Sequence, residues 1–178
     1  AVGQGWDGRT LGSRATTHDE TYRAPYHDVL PETSWIPVGD LDAAETALAS
    51  ETVAAVILEP IQSIAGMRTL LADYVQGLRA LCDEYGTLLV FDEVQTGVGR
   101  TGTFSMAEQL GARPDLISLA KSLGAGVPVS AVLVADAVAE TVESGDQGST
   151  FGGGMLAMAA VTATLETLVE DDLMNRAT

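Results

Sequence analysis

The chain has 178 residues, 46% hydrophobic and 19% charged, enough for one globular domain with a core and too few for two comfortable ones. Its formal net charge of −16 and pI near 4.1 argue against nucleic acid or an anionic membrane surface as partners. The basic residues are eight arginines and one lysine, a balance that suits a protein kept soluble in concentrated salt and equally the arginine bias of a GC-rich gene.

The first forty residues read as loop, broken by Gly3, Gly5, Gly8, Gly12, Pro25, Pro31 and Pro37. They show no basic start with an apolar run behind it, so no secretory signal is expected, and without an initiator Met the true start is expected upstream. Asp40 is placed to cap a helix over Leu41–Ala49. Val53–Leu58 is a β-branched, nearly continuous apolar run, the pattern of a strand buried on both faces. Val75, Leu78, Leu81 and Cys82 then recur at helical spacing over Asp73–Tyr85, with Gly86 as the stop. Thr87–Phe91, Leu116–Leu119 and Val129–Val134 predict three more buried strands, and helices are expected at Ala135–Glu143 and Met155–Glu170. The last helix runs on without a closing element, so the C-terminus reads as cut. The apolar run Val127–Val134 is too short to cross a bilayer, and Asp136 closes it.

Buried strands alternating with helices predict an α/β fold, a mostly parallel sheet with helices on both faces. Such sheets bind ligands beyond the carboxyl ends of their strands, so the polar residues just past each strand are the ones to inspect. Leu88-Leu89-Val90-Phe91-Asp92-Glu93 suggests first a magnesium-binding strand of an ATPase. That reading needs a glycine-rich loop ending in Gly-Lys-Ser/Thr. The only lysine, Lys121, lies in Ser118-Leu119-Ala120-Lys121-Ser122 with no such loop before it, and the nucleotide reading fails.

Lys121 itself is flanked by Leu116–Ala120 and by Gly124-Ala125-Gly126. An amine desolvated among apolar residues gives up its proton more readily and becomes the neutral nucleophile that Schiff-base chemistry requires. A lysine snorkelling from a strand end is the other reading of the same residue. An acid at one strand mouth and a lone lysine at another suggest a cofactor between them. Pyridoxal 5'-phosphate needs a lysine for its aldehyde, a carboxylate for its ring nitrogen and donors for its phosphate. Asp92 offers the carboxylate, and Gly148-Ser149-Thr150-Phe151-Gly152-Gly153, ahead of a predicted helix, offers hydroxyl and backbone donors.

Phe91-Asp92-Glu93-Val94-Gln95-Thr96-Gly97 with Gly99-Arg100-Thr101-Gly102 resembles the cofactor-ring signature of class III aminotransferases, the family of the acetylornithine, ornithine and 4-aminobutyrate enzymes. Pro114-Asp115 ahead of Ala120-Lys121 is similar to its lysine motif, and Gly148–Gly153 to its phosphate motif. Asp92 and Lys121 are 29 positions apart (121 − 92), a separation similar to the family's, and the resemblance runs from about Gly5 to the end.

The resemblance implies a fold type I transferase, here an incomplete major domain over residues 1–178. The upstream cofactor-phosphate segment and the C-terminal domain are then absent. The implied activity is ping-pong transfer of an amino group from an amino acid to a keto acid, with an acetylornithine-like or other ω-amino substrate. By the same resemblance Lys121 forms the Schiff base and then moves the substrate's α-proton, Asp92 pairs with the ring nitrogen, and Gln95 lies near the phenolic oxygen. Trp6 stacks on the ring, Arg9 binds a substrate carboxylate, and Glu59, in Glu59-Pro60-Ile61-Gln62, lies close to the site. Ser149 and Thr150 hold the phosphate of the neighbouring subunit's cofactor, which implies a homodimer.

Three departures stand out. Asp7 occupies a position where the family often has histidine. Ser63-Ile64 replaces the Gly-Glu that many members carry, whose glutamate parks a carboxylate-binding arginine. The third is the absence of the flanking segments, which leaves open a non-catalytic fragment serving only in binding or assembly. An aminomutase or racemase on the same scaffold is the other alternative.

The remaining groups carry no chemistry of their own on this reading. His18-Asp19-Glu20 and His27-Asp28 are expected to be solvated loop residues rather than a metal site. Glu143, Asp146, Glu170, Asp171 and Asp172 are expected on an acidic surface. Cys82 has no partner for a disulfide and reads as a small buried hydrophobe, which suits a reducing, cytoplasmic setting.

Overall fold

The computed structural model describes residues 1–177. The loop-rich start lies along the sheet: the Val2 amide donates to the Ile57 carbonyl at 2.9 Å, and Val2 pairs with Ile36 in a single parallel bridge. Short helices form inside this segment where glycines and prolines predicted only loop: α1 (Leu11–Thr16), α2 (Glu20–Arg23) and a 3-10 turn over Ala24–Val29. Local capping explains them. The Asp19 carboxylate accepts from the Thr21 amide at 2.9 Å, and Pro25 lies at the start of the 3-10 turn, just after Ala24, where a missing N–H costs nothing.

Helix α3 (Leu41–Leu48) starts as its cap predicts, with the Asp40 side chain accepting from the Ala43 amide at 2.9 Å. β1 (Ala55–Leu58) follows, then a small antiparallel hairpin of β2 (Ile61–Gln62) and β3 (Arg68–Thr69). α4 (Ala72–Glu84) ends at Gly86, whose φ of 63° is a left-handed stop that residues with a Cβ resist. α4 lies tightly on α3: a Cβ added at Gly77 would sit 2.4 Å from Leu41 Cδ1.

β4 (Leu88–Asp92), α5 (Met106–Leu110), β5 (Leu116–Leu119), β6 (Ala131–Val134), α6 (Asp136–Ala139) and α7 (Met155–Glu170) complete the chain. The main sheet has the order β1-β4-β5-β6, parallel across its first three strands and antiparallel at β6. The expected α/β architecture with a mostly parallel sheet is therefore present.

Two expectations need correction. The apolar run predicts a buried β6, yet Val132, Leu133 and Val134 are exposed, because β6 is the sheet edge and none of the described residues covers it. The helix expected over Ala135–Glu143 stops at Ala139. Ala135 gives it no side-chain cap, and the chain goes over into turns, with the Val142 amide on the Ala139 carbonyl at 3.2 Å.

The main core lies between the sheet and α3, α4 and α5. Leu48, Val75, Leu78, Leu89, Phe91 and the lone Cys82 are fully enclosed there. Burial pushes the Cys82 thiol up to about 11, so it is an inert packing residue as read. A second, smaller cluster of Val98, Leu119 and Leu123 takes Val161 and Leu168 of α7 against it.

Candidate active site

The parallel strands aim their carboxyl ends at one place. β4 ends in Asp92, which is in register with Ser118 of its neighbour β5, and β5 ends two residues before Lys121. Ser118 Oγ donates to Asp92 Oδ1 at 3.1 Å, and the Val94 amide donates to the same oxygen at 3.0 Å. Asp92 is 8% exposed. That burial raises its proton affinity above the usual carboxylate range, while the two donors and the charge of Lys121 pull the other way. A carboxyl so placed stays ionised most readily when a cation sits against it. A protonated ring nitrogen is such a cation.

Lys121 opens a 3-10 turn (Lys121–Gly124) at a backbone φ of 45°, in the left-handed region that non-glycine residues enter at a cost of about 1–3 kcal/mol. Its ammonium donates to Gln95 Oε1. The apolar flanks predicted a desolvated amine. The structure instead leaves Lys121 exposed, because the turn lifts it out of the sheet to the rim of a cleft of about 530 Å³. Ile61, Ser63, Met67, Gln95 and Thr101 share that rim, a size ordinary for a cofactor or small-molecule site, about 300–1,000 Å³.

Across the same mouth, β1 is followed by Glu59, only 6% exposed, whose Oε1 accepts from the Trp6 amide at 2.7 Å. Burial pushes Glu59 up to about 7, with the Trp6 bond opposing and the charges of Asp7 and Asp92 adding to the rise. Asp7 is raised to about 6, first by burial, then by Asp92, with the neighbouring Thr16 hydroxyl opposing. One of its oxygens, Oδ1, is buried without a hydrogen-bond partner. Gln62 ties the segment down from beneath, donating from Nε2 to the Gly3 carbonyl at 2.7 Å.

The structure thus brings together Lys121, Gln95 and Asp92 on one side and Trp6 and Glu59 on the other. Trp6 meets Tyr22 edge-on, ring centroids 6.4 Å apart, and the Arg9 guanidinium lies 5.7 Å from the Tyr22 ring centre, so Arg9 is linked to Trp6 through Tyr22. Gln95, expected near a phenolic oxygen, holds the lysine amine. Ser149 and Thr150 are exposed, Ser149 Oγ accepting from the Gly152 amide at 3.0 Å. Among the described residues no hydrogen bond or ion pair joins either of them to Lys121 or Asp92. His27 pairs with Glu20 at 2.5 Å while His18 packs edge-on against Trp35, so the two histidines go to separate partners.

Sequence reasoning missed Ser118 as a partner of Asp92, though its place opposite Asp92 in adjacent strands was available once both strands were predicted. It also left Glu93 without a role. Glu93 is fully buried and holds the start of α5: it accepts from the Met106 amide at 2.9 Å, from Thr96 Oγ1 at 3.2 Å and from Ser105 Oγ. Ser105 and Glu108 form a capping box, a signal readable three residues apart in the sequence.

Comparison with known proteins agrees with this geometry. The chain is 47% identical over 169 residues to the acetylornithine aminotransferase of Methanopyrus kandleri, covering 95% of this chain and 43% of that protein. It is 41% identical over 170 residues to a [LysW]-aminoadipate semialdehyde/glutamate semialdehyde transaminase of Sulfurisphaera tokodaii, covering 96% and 43%. A solved ornithine aminotransferase of Toxoplasma gondii, with partial occupancy of pyridoxal phosphate at its active site, superposes with a TM-score of 0.88 at 35% identity, over 99% of this chain and 42% of that one. The chain spans less than half the length of these relatives. The sequence profile of the Aminotransferase class-III family matches residues 1–178, and the chain belongs to that family.

Proposed function

We propose that this chain is the cofactor-binding part of the major domain of a pyridoxal-phosphate-dependent aminotransferase. The enzyme would move an amino group from an amino acid to a keto acid in a ping-pong cycle. The observation that carries the reading is the pairing of Lys121, held by Gln95, with the buried Asp92 at the ends of adjacent parallel strands. The donor set suits the cofactor: an accessible primary amine for the aldehyde, and carboxyls, one with an orphaned oxygen, for a cationic ring. When bound, the cofactor supplies an electron-withdrawing ring that stabilises negative charge at the substrate's α-carbon.

Lys121 would hold the aldehyde and Asp92 the ring nitrogen. When free, the Lys121 amine would accept the proton from the substrate α-carbon and return it, and Gln95 Oε1 would orient Nζ for that task. Ser118 and the Val94 amide fix the Asp92 carboxyl, so its plane does not have to reorganise as charge develops. Trp6, tethered by its amide to Glu59, would cover one ring face, and Arg9 would meet a substrate carboxylate. Ser149 and Thr150, exposed on their loop, would serve the phosphate of a neighbouring copy's cofactor, and a homodimer is part of the proposal. An acetylornithine-like or other ω-amino donor is the proposed substrate class, and a reducing, cytoplasmic compartment the proposed setting.

The test is borohydride reduction after adding pyridoxal phosphate, followed by peptide mapping. A label on Lys121 is expected, and a label elsewhere would sink the assignment. Lys121→Ala should abolish transamination in the complete enzyme, a loss of at least about 10²–10⁴ in rate for the base role alone. A strict requirement for a keto-acid co-substrate distinguishes transfer from racemase or mutase chemistry on the same scaffold.

A further inference from the structure

Three carboxyls converge where the functional reading needs one. Asp92 ends β4, Glu59 follows β1, and Asp7 comes in from the N-terminal segment. A Cβ built on Gly5 would lie 3.8 Å from both Asp7 Oδ2 and Glu59 Oε1, so the two side chains flank a single point. Glu59 is held by the Trp6 amide, with the Ser63 amide also against it, whereas Asp7 Oδ1 is buried without a hydrogen-bond partner.

An ionised carboxylate with an unpaired buried oxygen is costly unless a cation is near. The charged groups facing the cluster are few. Asp7 feels Asp92 and the Ala1 ammonium, Glu59 feels Asp7 and Asp92, and Asp92 feels Lys121 and Glu93. Lys121 is already engaged with Gln95.

Resting on the functional reading above, we propose that Asp7 is a positioning residue for the cofactor's ring. Ionised, and acting through the Glu59–Asp92 cluster, it adds negative charge that keeps the ring nitrogen protonated. Its ordinary proton affinity would leave it ionised at neutral pH, and burial lifts it only to about 6. A cation bound nearby favours its ionised form further. Asp92 alone would hold the ring proton less firmly. In this chain the residue that adds the charge is an aspartate in the turn after Trp6.

The measurement is the 15N resonance of ring-labelled pyridoxal phosphate bound to the holoenzyme, followed from pH 5 to 9. The wild-type ring nitrogen should stay protonated to higher pH than in Asp7→Asn, whose apparent ring pKa should fall on the order of one unit, tenfold in proton affinity. Asp7→Ser should fall equally, and Asp7→Glu should keep the wild-type value, because charge rather than shape is what acts. An unchanged ring pKa in Asp7→Asn overturns the proposal alone, as does an Asp7→Glu value as low as that of Asp7→Asn. A wild-type protein showing no resonance of bound cofactor overturns the functional reading and this proposal with it.

Discussion

Asp92 carries a conflict between stability and chemistry that a single substitution separates. Its carboxyl is buried and its proton affinity raised, so in the absence of a cation the ionised form is held at a cost. Asp92→Asn keeps the shape and can still accept at its carbonyl oxygen from Ser118 and Val94 while removing the buried charge. The variant is expected to melt no lower than the wild type without cofactor, yet to lose roughly 10²–10⁴ in turnover as the ring loses its partner. Calorimetry and steady-state rates on the same sample check both halves; a lower melting temperature would mean that the ionised carboxylate is itself a structural tie. The pH dependence of folding has a definite sign too. Asp7 and Glu59 rise to about 6 and about 7 in the folded state, from 3.8 and 4.5. Their favourable contribution is therefore complete below about pH 4 and is lost as pH climbs through 6 and 7. Asp7→Asn should flatten this decline and gain about 1–2 kcal/mol at pH 8, after discounting for partial exposure to solvent. Urea titrations at pH 5 and pH 8 would show it as a gain that grows with pH, smaller at pH 5 and full at pH 8.

At the level of elements, the turn after β4 depends on a buried acid that the active-site reading does not use. Glu93 receives the Met106 amide and the Thr96 and Ser105 hydroxyls, so one carboxylate fastens the strand end, the intervening loop and the start of α5. Glu93→Ala leaves those three donors without their partner and opens a void. It is expected to destabilise by roughly 2–4 kcal/mol, with Lys121 labelling reduced because Asp92 precedes the damaged turn. Denaturant unfolding gives the first number and borohydride trapping the second; full labelling at lowered stability would uncouple the turn from the site. This turn also shows what the sequence can convey. Strands β1, β4 and β5 and helices α3, α4 and α7 were legible because apolar periodicity and caps such as Asp40 act locally. The β2–β3 hairpin was not, since two-residue strands around Ser63–Met67 are too short to show any period. The exposure of β6 was hidden for another reason: Val132, Leu133 and Val134 are equally apolar whether or not something packs on them. At the site, Lys121, Asp92 and Gln95 came from linear motifs, whereas the Asp92–Ser118 bond and the approach of Asp7 to Glu59 come from register and from a segment folding back over the sheet, relations between residues remote in sequence.

Over the whole molecule the charge is divided into two populations that salt treats differently. Asp7, Glu59 and Asp92 lie inside or at the mouth of the site and Glu93 is buried beside it, where low polarisability and close range leave screening weak. Most of the rest of the 25 acidic residues, among them Asp42, Glu45, Glu51, Asp83, Glu143, Asp146, Glu170, Asp171 and Asp172, are exposed. With nine basic residues against them, their sum is a net −16, which repels itself across the surface and disfavours the compact state. At about 0.1 M salt the screening length is about 10 Å, comparable with the spacing of surface charges, and at about 1 M it falls to about 3 Å. Raising potassium chloride from 0.1 M to 2 M should therefore stabilise the protein by relieving surface repulsion. A gain of about 1 kcal/mol corresponds to about 2–4 °C in Tm for a chain of this size, so a rise of several degrees is expected. The rise should be the same in Asp7→Asn, because the buried cluster contributes little to the screened term. A flat melting temperature would mean that the acidic surface is already compensated by its own hydration or by a partner, and a rise lost in Asp7→Asn would place the dominant repulsion at the site instead.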